Sequence, residues 1–433
     1  MLARRLQRPG FFYGWVIVLV SFLIIAFVFG VRLSFGIFFD ALTRDSDFGW
    51  SRADTAGVFS VTMLVFAATS TSIGWLLDRW GPRRVYSAGI LIMASGLWLT
   101  SRMTSLLDFY LFYGVWTGLG ITVLGLSMHA ATIARWFDRL GRRGLAIGLA
   151  FSGSGIGILV LAPIIERTIS AAGWRAAYVM LAVLLSVTTL PLIALLLRNR
   201  PEELGLQPDG VTRRGTVRQP APAPGAPAAR QPAAGPEPVW TFAKALTTPI
   251  FWLLMVSGTL SLFTLRMVTV HQTAHLVDQG IPRLTAATIL GSTGLVTAGA
   301  FIVFGSLSDR IGRARSFYIG SGAQCAALLV LMALPQTPPL WLLYLYVILW
   351  GVGEGSRSGL LTAIAGDTFP GPSVGVIVGT MGGFFGLGAA IGSWLAGYIY
   401  DVGGSYTPAF ALALAGTVVA TMAIAAAMRL QRR

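Results

Sequence analysis

The sequence predicts an all-helical membrane protein with twelve spanning helices in two pseudo-symmetric six-helix halves. Three observations lead there. Of the 433 residues, 55% are hydrophobic and only 11% charged, less than half the charged share of about 25% in soluble domains. Apolar runs bounded by charged or Gly/Pro-rich breaks number twelve, each near the ~20 residues that cross a bilayer. The two sets of six also share a loop motif. The composition argues against a large soluble enzyme. The +15 formal charge would suggest nucleic acid in a soluble chain. In a membrane protein it has another cause, because cytoplasmic loops collect Lys and Arg.

In chain order, the first six runs are 14–39, 54–77, 85–101, 105–134, 145–165 and 174–197. The last six are 249–276, 285–308, 316–334, 339–364, 374–399 and 406–428. The first run follows a basic start like that of a secretory signal, but it is about 26 residues long and lacks a small-residue cleavage site. It therefore reads as a retained span. Between the sixth and seventh runs, Pro201 to Trp240 contains QPAPAPGAPAARQPAAGPEP. Such a stretch cannot bury a core and reads as a disordered or semi-extended linker. The expected organisation is a six-helix half over 1–198, a Pro/Ala-rich cytoplasmic linker over 199–247 and a second half over 248–433. With both termini in the cytoplasm, 23 of the 32 basic residues face inward, so the charge excess records topology. Arg outnumbers Lys 31 to 1, which suggests a GC-rich bacterial genome and hence a bacterial inner membrane. The lone Cys325 excludes a disulfide framework and a cysteine metal site; it reads as a small core residue.

The halves repeat. GWLLDRWGPRR at Gly74–Arg84 matches GSLSDRIGRAR at Gly305–Arg315, an offset of 231. Gly144 and Gly148 match Gly375 and Gly379 at the same offset, and Gly155 and Gly157 fall onto Gly386 and Gly388. Gly118 and Gly120 match Gly351 and Gly353 at 233. Duplicated halves with a site at their interface are a transporter design, since rocking one half on the other alternates access.

With these motifs the chain resembles the major facilitator superfamily over nearly its whole length. Within it, the sequence is similar to the monocarboxylate transporters and their bacterial organic-anion (oxalate/formate-type) relatives. PGFFYGWVIV (Pro9–Val18) resembles that family's entry to the first helix. RWFDRLGRRGLAIGLAFSGSGIG (Arg135–Gly157) resembles its fourth-to-fifth-helix motif, and HLVDQGIP (His275–Pro282) its seventh-helix exit. Two departures stand out. The usual acidic residue before the first-helix aromatics is replaced by Gly10-Phe11-Phe12. The eighth helix, Leu284–Leu307, has no Arg or Asp, although the family commonly carries a substrate-binding Arg there. The anion site must therefore be sought elsewhere.

Ionisable groups inside spans cost about 2.5–3.5 kcal/mol each to insert, so they are functional suspects. The spans contain Arg32, His129, Arg266, His271, His275, Glu354 and Arg357, all on the first, fourth, seventh and tenth helices. In the resembled fold these four line the central cavity. Arg32 and Arg266 sit at nearly equivalent repeat positions and could converge on one carboxylate, to which Arg offers bidentate charged donors. The alternative for each is a carbonyl partner or snorkelling outward. Glu354 and Arg357, three apart, share a helix face. They suit either a proton-coupling switch, in which protonated Glu354 frees Arg357, or a static ion pair. His271 and His275 lie one turn apart, yet no third ligand supports a metal. His271 is about 140° round the helix from Arg266, so an unbroken helix cannot aim both at one point; a proton or substrate role stays open for it. His275 reads as interfacial near the outer end, and His129 as a polar packing or gate residue. Tyr113, Trp116, Tyr346 and Trp350 could shape an apolar pocket or simply pack.

The D-R-x-G loops suggest gating: Asp78, Arg79 and Arg83 in one half, Asp309, Arg310 and Arg313 in the other. Their aspartates could cap a helix N-terminus or pair with loop arginines, contacts of about 1–2 kcal/mol that a transport cycle can break. No phosphate loop, nucleophile elbow or paired-carboxylate arrangement is evident, so no enzyme activity and no cofactor are expected. The expected function is proton-coupled symport of a small organic anion, a monocarboxylate, through a monomer in the bilayer. Anion exchange, export of metabolites or drugs, and a transporter-like receptor are the rivals.

Overall fold

The computed structural model describes residues 12–45, 48–137, 143–207, 240–369 and 374–431. Among these, twelve long helices account for nearly the whole chain. α1 covers Gly14–Thr43, broken at Ser34. α2 and α3 are the two arms of Arg52–Thr100, divided at Gly81. α4 is Leu106–Ala134, and α5 and α6 are the arms of Arg143–Leu196, divided at Gly173. In the second half come α7 (Pro249–Asp278), α8 (Arg283–Ile311), α9 (Arg313–Met332), α10 (Leu340–Thr368), α11 (Val374–Gly403) and α12 (Thr407–Gln431).

Arg52–Thr100 has 49 residues. As one rod it would be about 74 Å long, more than twice the ~30 Å hydrocarbon core. It folds back instead. Gly118 of α4 lies against Thr62, and Gly96 against Thr117, so positions 62 and 96 are level although 34 residues apart. Gly81 makes the reversal with φ +78°, and Gly312, its counterpart in the second D-R-x-G loop, has φ +94°. A side chain at either position would be strained, which explains the glycine in the motif. At the opposite end, Ser51 caps α2 by accepting from the Asp54 amide at 3.0 Å, and Ser105 and Asp108 close a capping box on α4.

The sequence repeat is also a packing repeat. A Cβ on Gly157 would lie 1.8 Å from the Ala26 carbonyl oxygen, which seats α5 on α1; a Cβ on Gly388 would lie 2.3 Å from the Thr259 carbonyl, which seats α11 on α7. Gly155 and Gly386 face across the halves instead, against Gly294 of α8 and Met63 of α2 respectively. The halves thus meet along α5–α8 and α2–α11, where Ser60 Oγ donates to the Ala390 carbonyl at 2.6 Å. Trp98, Leu107, Trp116, Trp252, Trp341 and Val402 are exposed and belong to an apolar outer belt.

Both ends of the expected linker 199–247 are described. Pro201–Leu204 form a 3₁₀ turn, and Phe242–Leu246 a short helix capped by Thr241. Residues 208–239 lie outside the described ones. We call the end with the D-R-x-G loops the basic end, and the opposite one the distal end.

Candidate functional site

A cavity of ≈ 230 Å³ lies between the halves. The first half contributes Phe29 and Leu33 of α1, Leu126 of α4, and Ser154, Gly155 and Ile158 of α5. The second half contributes Leu262, Leu265, Arg266 and Thr269 of α7, five residues of α8, and Trp350 and Glu354 of α10. Most of this wall is hydrocarbon. Arg266 is only 8% exposed, and its guanidinium stands 5.6 Å from the Phe59 ring centroid. Among the described residues it donates no hydrogen bond to the protein, and its Nε is buried without a partner. A desolvated guanidinium with unspent donors has the chemistry to receive an anion. The charge that faces it is Glu354, whose Oε2 lies 3.4 Å from Thr297 Oγ1.

Arg357 takes a different direction. Its Nη2 donates to Ser261 Oγ at 2.8 Å and its guanidinium stands 5.0 Å from the Phe317 ring centroid. It lines a much smaller pocket of ≈ 10 Å³, which shares Leu262, Leu265 and Glu354 with the cavity. Glu354 therefore stands between two arginines and is coupled to Arg266. Arg32 turns back into its own half, where Nη2 meets Met63 Sδ at 3.2 Å. It is close enough to Arg266 for the two charges to repel, but it is not on the cavity wall.

The distal end is closed by charge pairs between the halves. Asp278 at the end of α7 receives Arg44 Nη2 at 2.6 Å and Arg52 Nη1 at 2.8 Å. Asp40 of α1 receives Arg283 Nε of α8 at 3.4 Å as well as Arg44 Nε at 2.8 Å. Asp401 of α11 accepts from the amides of Arg52 and Ala53, at 2.9 and 2.7 Å, and so caps the N-terminus of α2 from the other half. The Arg52 guanidinium also lies 3.7 Å from the centre of the Tyr400 ring. At the basic end, among the described residues, each pair stays within one half. Asp78 receives Arg135 Nη2 at 2.8 Å, and Arg313 Nε pairs with Asp367.

The superfamily model for the "Major Facilitator Superfamily" matches residues 11–356 and 277–433. The chain belongs to the major facilitator superfamily. Monocarboxylate transporter 13 of Bos taurus is 29% identical over 435 residues, covering 95% of this chain and 88% of that one. Monocarboxylate transporter 11 of Homo sapiens is 27% identical over 418 residues, covering 92% and 80%. Among solved structures, a variant of the nucleoside transporter NupG covers 96% of this chain and 99% of its own, with a TM-score of 0.72 at 13% identity; this likeness establishes the fold alone. The protein is thus a major facilitator transporter related to the monocarboxylate transporters. Its apolar helices make it an integral, multi-pass membrane protein.

Several residues expected at a superfamily cavity lie elsewhere. His271 is fully buried in the distal seal: Nε2 donates to the Ser393 carbonyl at 2.8 Å and Nδ1 meets the Tyr406 hydroxyl at 3.1 Å. Both ring nitrogens are engaged by protein groups, and His271 is not on the cavity wall. Tyr113 packs against Phe35, 5.2 Å between ring centroids, and Tyr346 donates to Gln272 Oε1. Neither reaches the cavity wall, contrary to expectation. Trp116 is exposed and donates to Ser95 Oγ at 2.9 Å; of the four aromatics only Trp350 lines the cavity. His275 is buried rather than interfacial, with Nε2 donating to the Leu331 carbonyl at 3.2 Å. His129 packs on Tyr86, 4.6 Å between centroids, and neither ring nitrogen has a partner among the described residues.

Of the loop residues, Arg83 ties α3 to the end of α6 through the Ala194 carbonyl at 2.6 Å. The Arg79 guanidinium stands 5.2 Å from the Trp75 ring centroid, Arg310 is exposed, and the Asp309 side chain lies outside the described ones. Sequence reasoning missed Arg44, Arg52, Asp278, Arg283 and Asp401. The available signal was a set of opposite charges at distal helix ends, but nothing in the sequence pairs position 52 with position 401.

Proposed function

We propose that the protein is a secondary transporter of a small organic anion, a monocarboxylate, which it moves together with a proton by alternating access. The observation that carries this reading is Arg266, a buried cation with unspent donors on a cavity between the halves, faced by Glu354. Ionised Glu354 neutralises Arg266 while the cavity holds no anion. A substrate carboxylate must compete with it for the guanidinium. A proton on Glu354 removes that competitor, so proton and anion load together. Similarity to monocarboxylate transporters 13 and 11 supports the carboxylate. α8, which lacks the Arg common in the family, supplies Leu290, Thr293, Gly294, Thr297 and Phe301 to the wall instead, and the cation comes from α7.

Alternating access is supported by the contrast between the ends. Loop arginines support a cytoplasmic basic end, and the composition a bacterial inner membrane, with both termini on the cytoplasmic side. The distal seal then faces outward, and this is an inward-facing arrangement of a monomer. Asp78, Arg79 and Arg83, with Asp309, Arg310 and Arg313, are the residues we assign to the inner gate.

Uptake into proteoliposomes across a panel of labelled carboxylates, with and without a pH gradient, tests the reading. Gradient-driven uptake is expected; no uptake of any carboxylate would overturn it. Uptake indifferent to the gradient but accelerated by internal anion would select exchange. Arg266→Gln should weaken binding about a hundredfold, since truncating one member of a buried charge pair costs 2–5 kcal/mol. Glu354→Gln, a permanent mimic of the protonated acid, should retain exchange and lose its pH dependence.

A further inference from the structure

We infer that the cavity takes an amphiphilic monocarboxylate, one carboxylate on a bulky apolar body of about eight to ten non-hydrogen atoms, in preference to two- and three-carbon acids. This rests on the reading of Arg266 as the carboxylate site and specifies what the rest of the ligand must be.

Size comes first. A cavity of ≈ 230 Å³ has room for about eight waters at ~30 Å³ each. A two-carbon acid has four non-hydrogen atoms and would leave about half of that space as water against hydrocarbon. The wall opposes that filling, because Leu33, Leu262, Leu265, Leu290 and Trp350 meet there from four helices.

Polar chemistry on the wall narrows the class further. Its hydroxyls already donate hydrogen bonds to carbonyls of their own helices. Thr269 donates to the Leu265 carbonyl at 2.6 Å, Thr293 to Leu290 at 2.7 Å and Thr297 to Thr293 at 2.8 Å. Ser154 donates to the Phe151 carbonyl at 2.8 Å. Arg266 is the only cation on the wall among the described residues. A ligand with a second carboxylate would strand that group among hydrocarbon and spent hydroxyls, and buried unpaired charge is strongly penalised. One anionic head with a hydrocarbon body satisfies every surface.

Titration calorimetry on the purified full-length protein with acetate, butanoate, hexanoate and phenylacetate tests this, with phenylacetamide as the uncharged match. Kd should fall about fourfold per methylene from acetate to hexanoate, the gain for burying a CH₂. Phenylacetamide should bind at least tenfold more weakly than phenylacetate. Leu33→Phe, which narrows the cavity, should reduce the preference for hexanoate over acetate at least tenfold. Affinities that stay flat or fall along the series, while acetate still binds and depends on Arg266, would overturn the inference and leave the anion site intact. Equal binding of amide and acid would overturn it too. If no acid binds, both readings fall.

Discussion

At the distal end the arginine–carboxylate pairs run from one half to the other, whereas at the basic end those among the described residues close within a half. Arg44, Arg52 and Arg283 each reach a carboxylate of the opposite half. Arg135 and Arg313 each reach a carboxylate of their own half. The inner pairs are also a mirrored design: in the first half the loop supplies the acid (Asp78) and the end of α4 the base, and in the second the loop supplies the base (Arg313) and α10 the acid. The same ion-pair chemistry thus ties the halves together at the distal end and, in Asp78–Arg135 and Arg313–Asp367, ties helices within each half at the other. Ion pairs that join the halves at the distal end support the alternating access proposed above.

The contrast can be broken from its strongest point downward. Gly397 lets α11 approach α2 so closely that a Cβ would lie 2.6 Å from the Arg52 carbonyl oxygen, whereas a Cβ on Gly379, nearer the basic end, meets no atom within 4 Å. Gly397→Val should strain the seal by about 3 kcal/mol and expose the cavity distally, while Gly379→Val should not. A cysteine at Thr269 in a Cys325→Ser background, labelled by an impermeant maleimide from each side, reads this directly. Asp278→Asn removes the shared acceptor of Arg44 and Arg52. Both pairs are partly exposed, so about 1 kcal/mol is expected, seen as a roughly fivefold rise in distal labelling. Asp78→Asn should change labelling least, by less than twofold, because Asp78 is 80% exposed and its partner belongs to the same half. A large change there would show that the inner pair holds the halves after all.

Much of the fold was legible because hydrophobic runs and helix breakers act locally. Gly81 and Gly312 announced the reversals through one motif, and the offset of 231 announced packing that recurs at Gly157 and Gly388. At the site, Arg266 and Glu354 stood out because a charge in a span is costly wherever it points. His271 stood out for the same reason, and its angle from Arg266 already said that the two diverge. What the angle could not say was that His271 would meet Ser393 and Tyr406, 122 and 135 positions away. The seal was hidden because an arginine at a helix end reads as a solvated loop charge until its partner is known. The cavity wall was hidden because Leu262 facing a ligand and Trp252 facing lipid follow the same apolar pattern.

The pairing of Arg266 with Glu354 has an electrical consequence. If Glu354 takes the proton that accompanies the anion, as proposed, the empty site holds one cation and one ionised acid, and the loaded site the same cation, a neutral acid and one anionic substrate. Its charge is identical in both forms, so a complete cycle moves no net charge through the bilayer. Uptake should therefore be indifferent to a potassium–valinomycin diffusion potential of either sign. A measurable current per turnover would mean that Glu354 does not take the proton that accompanies the anion.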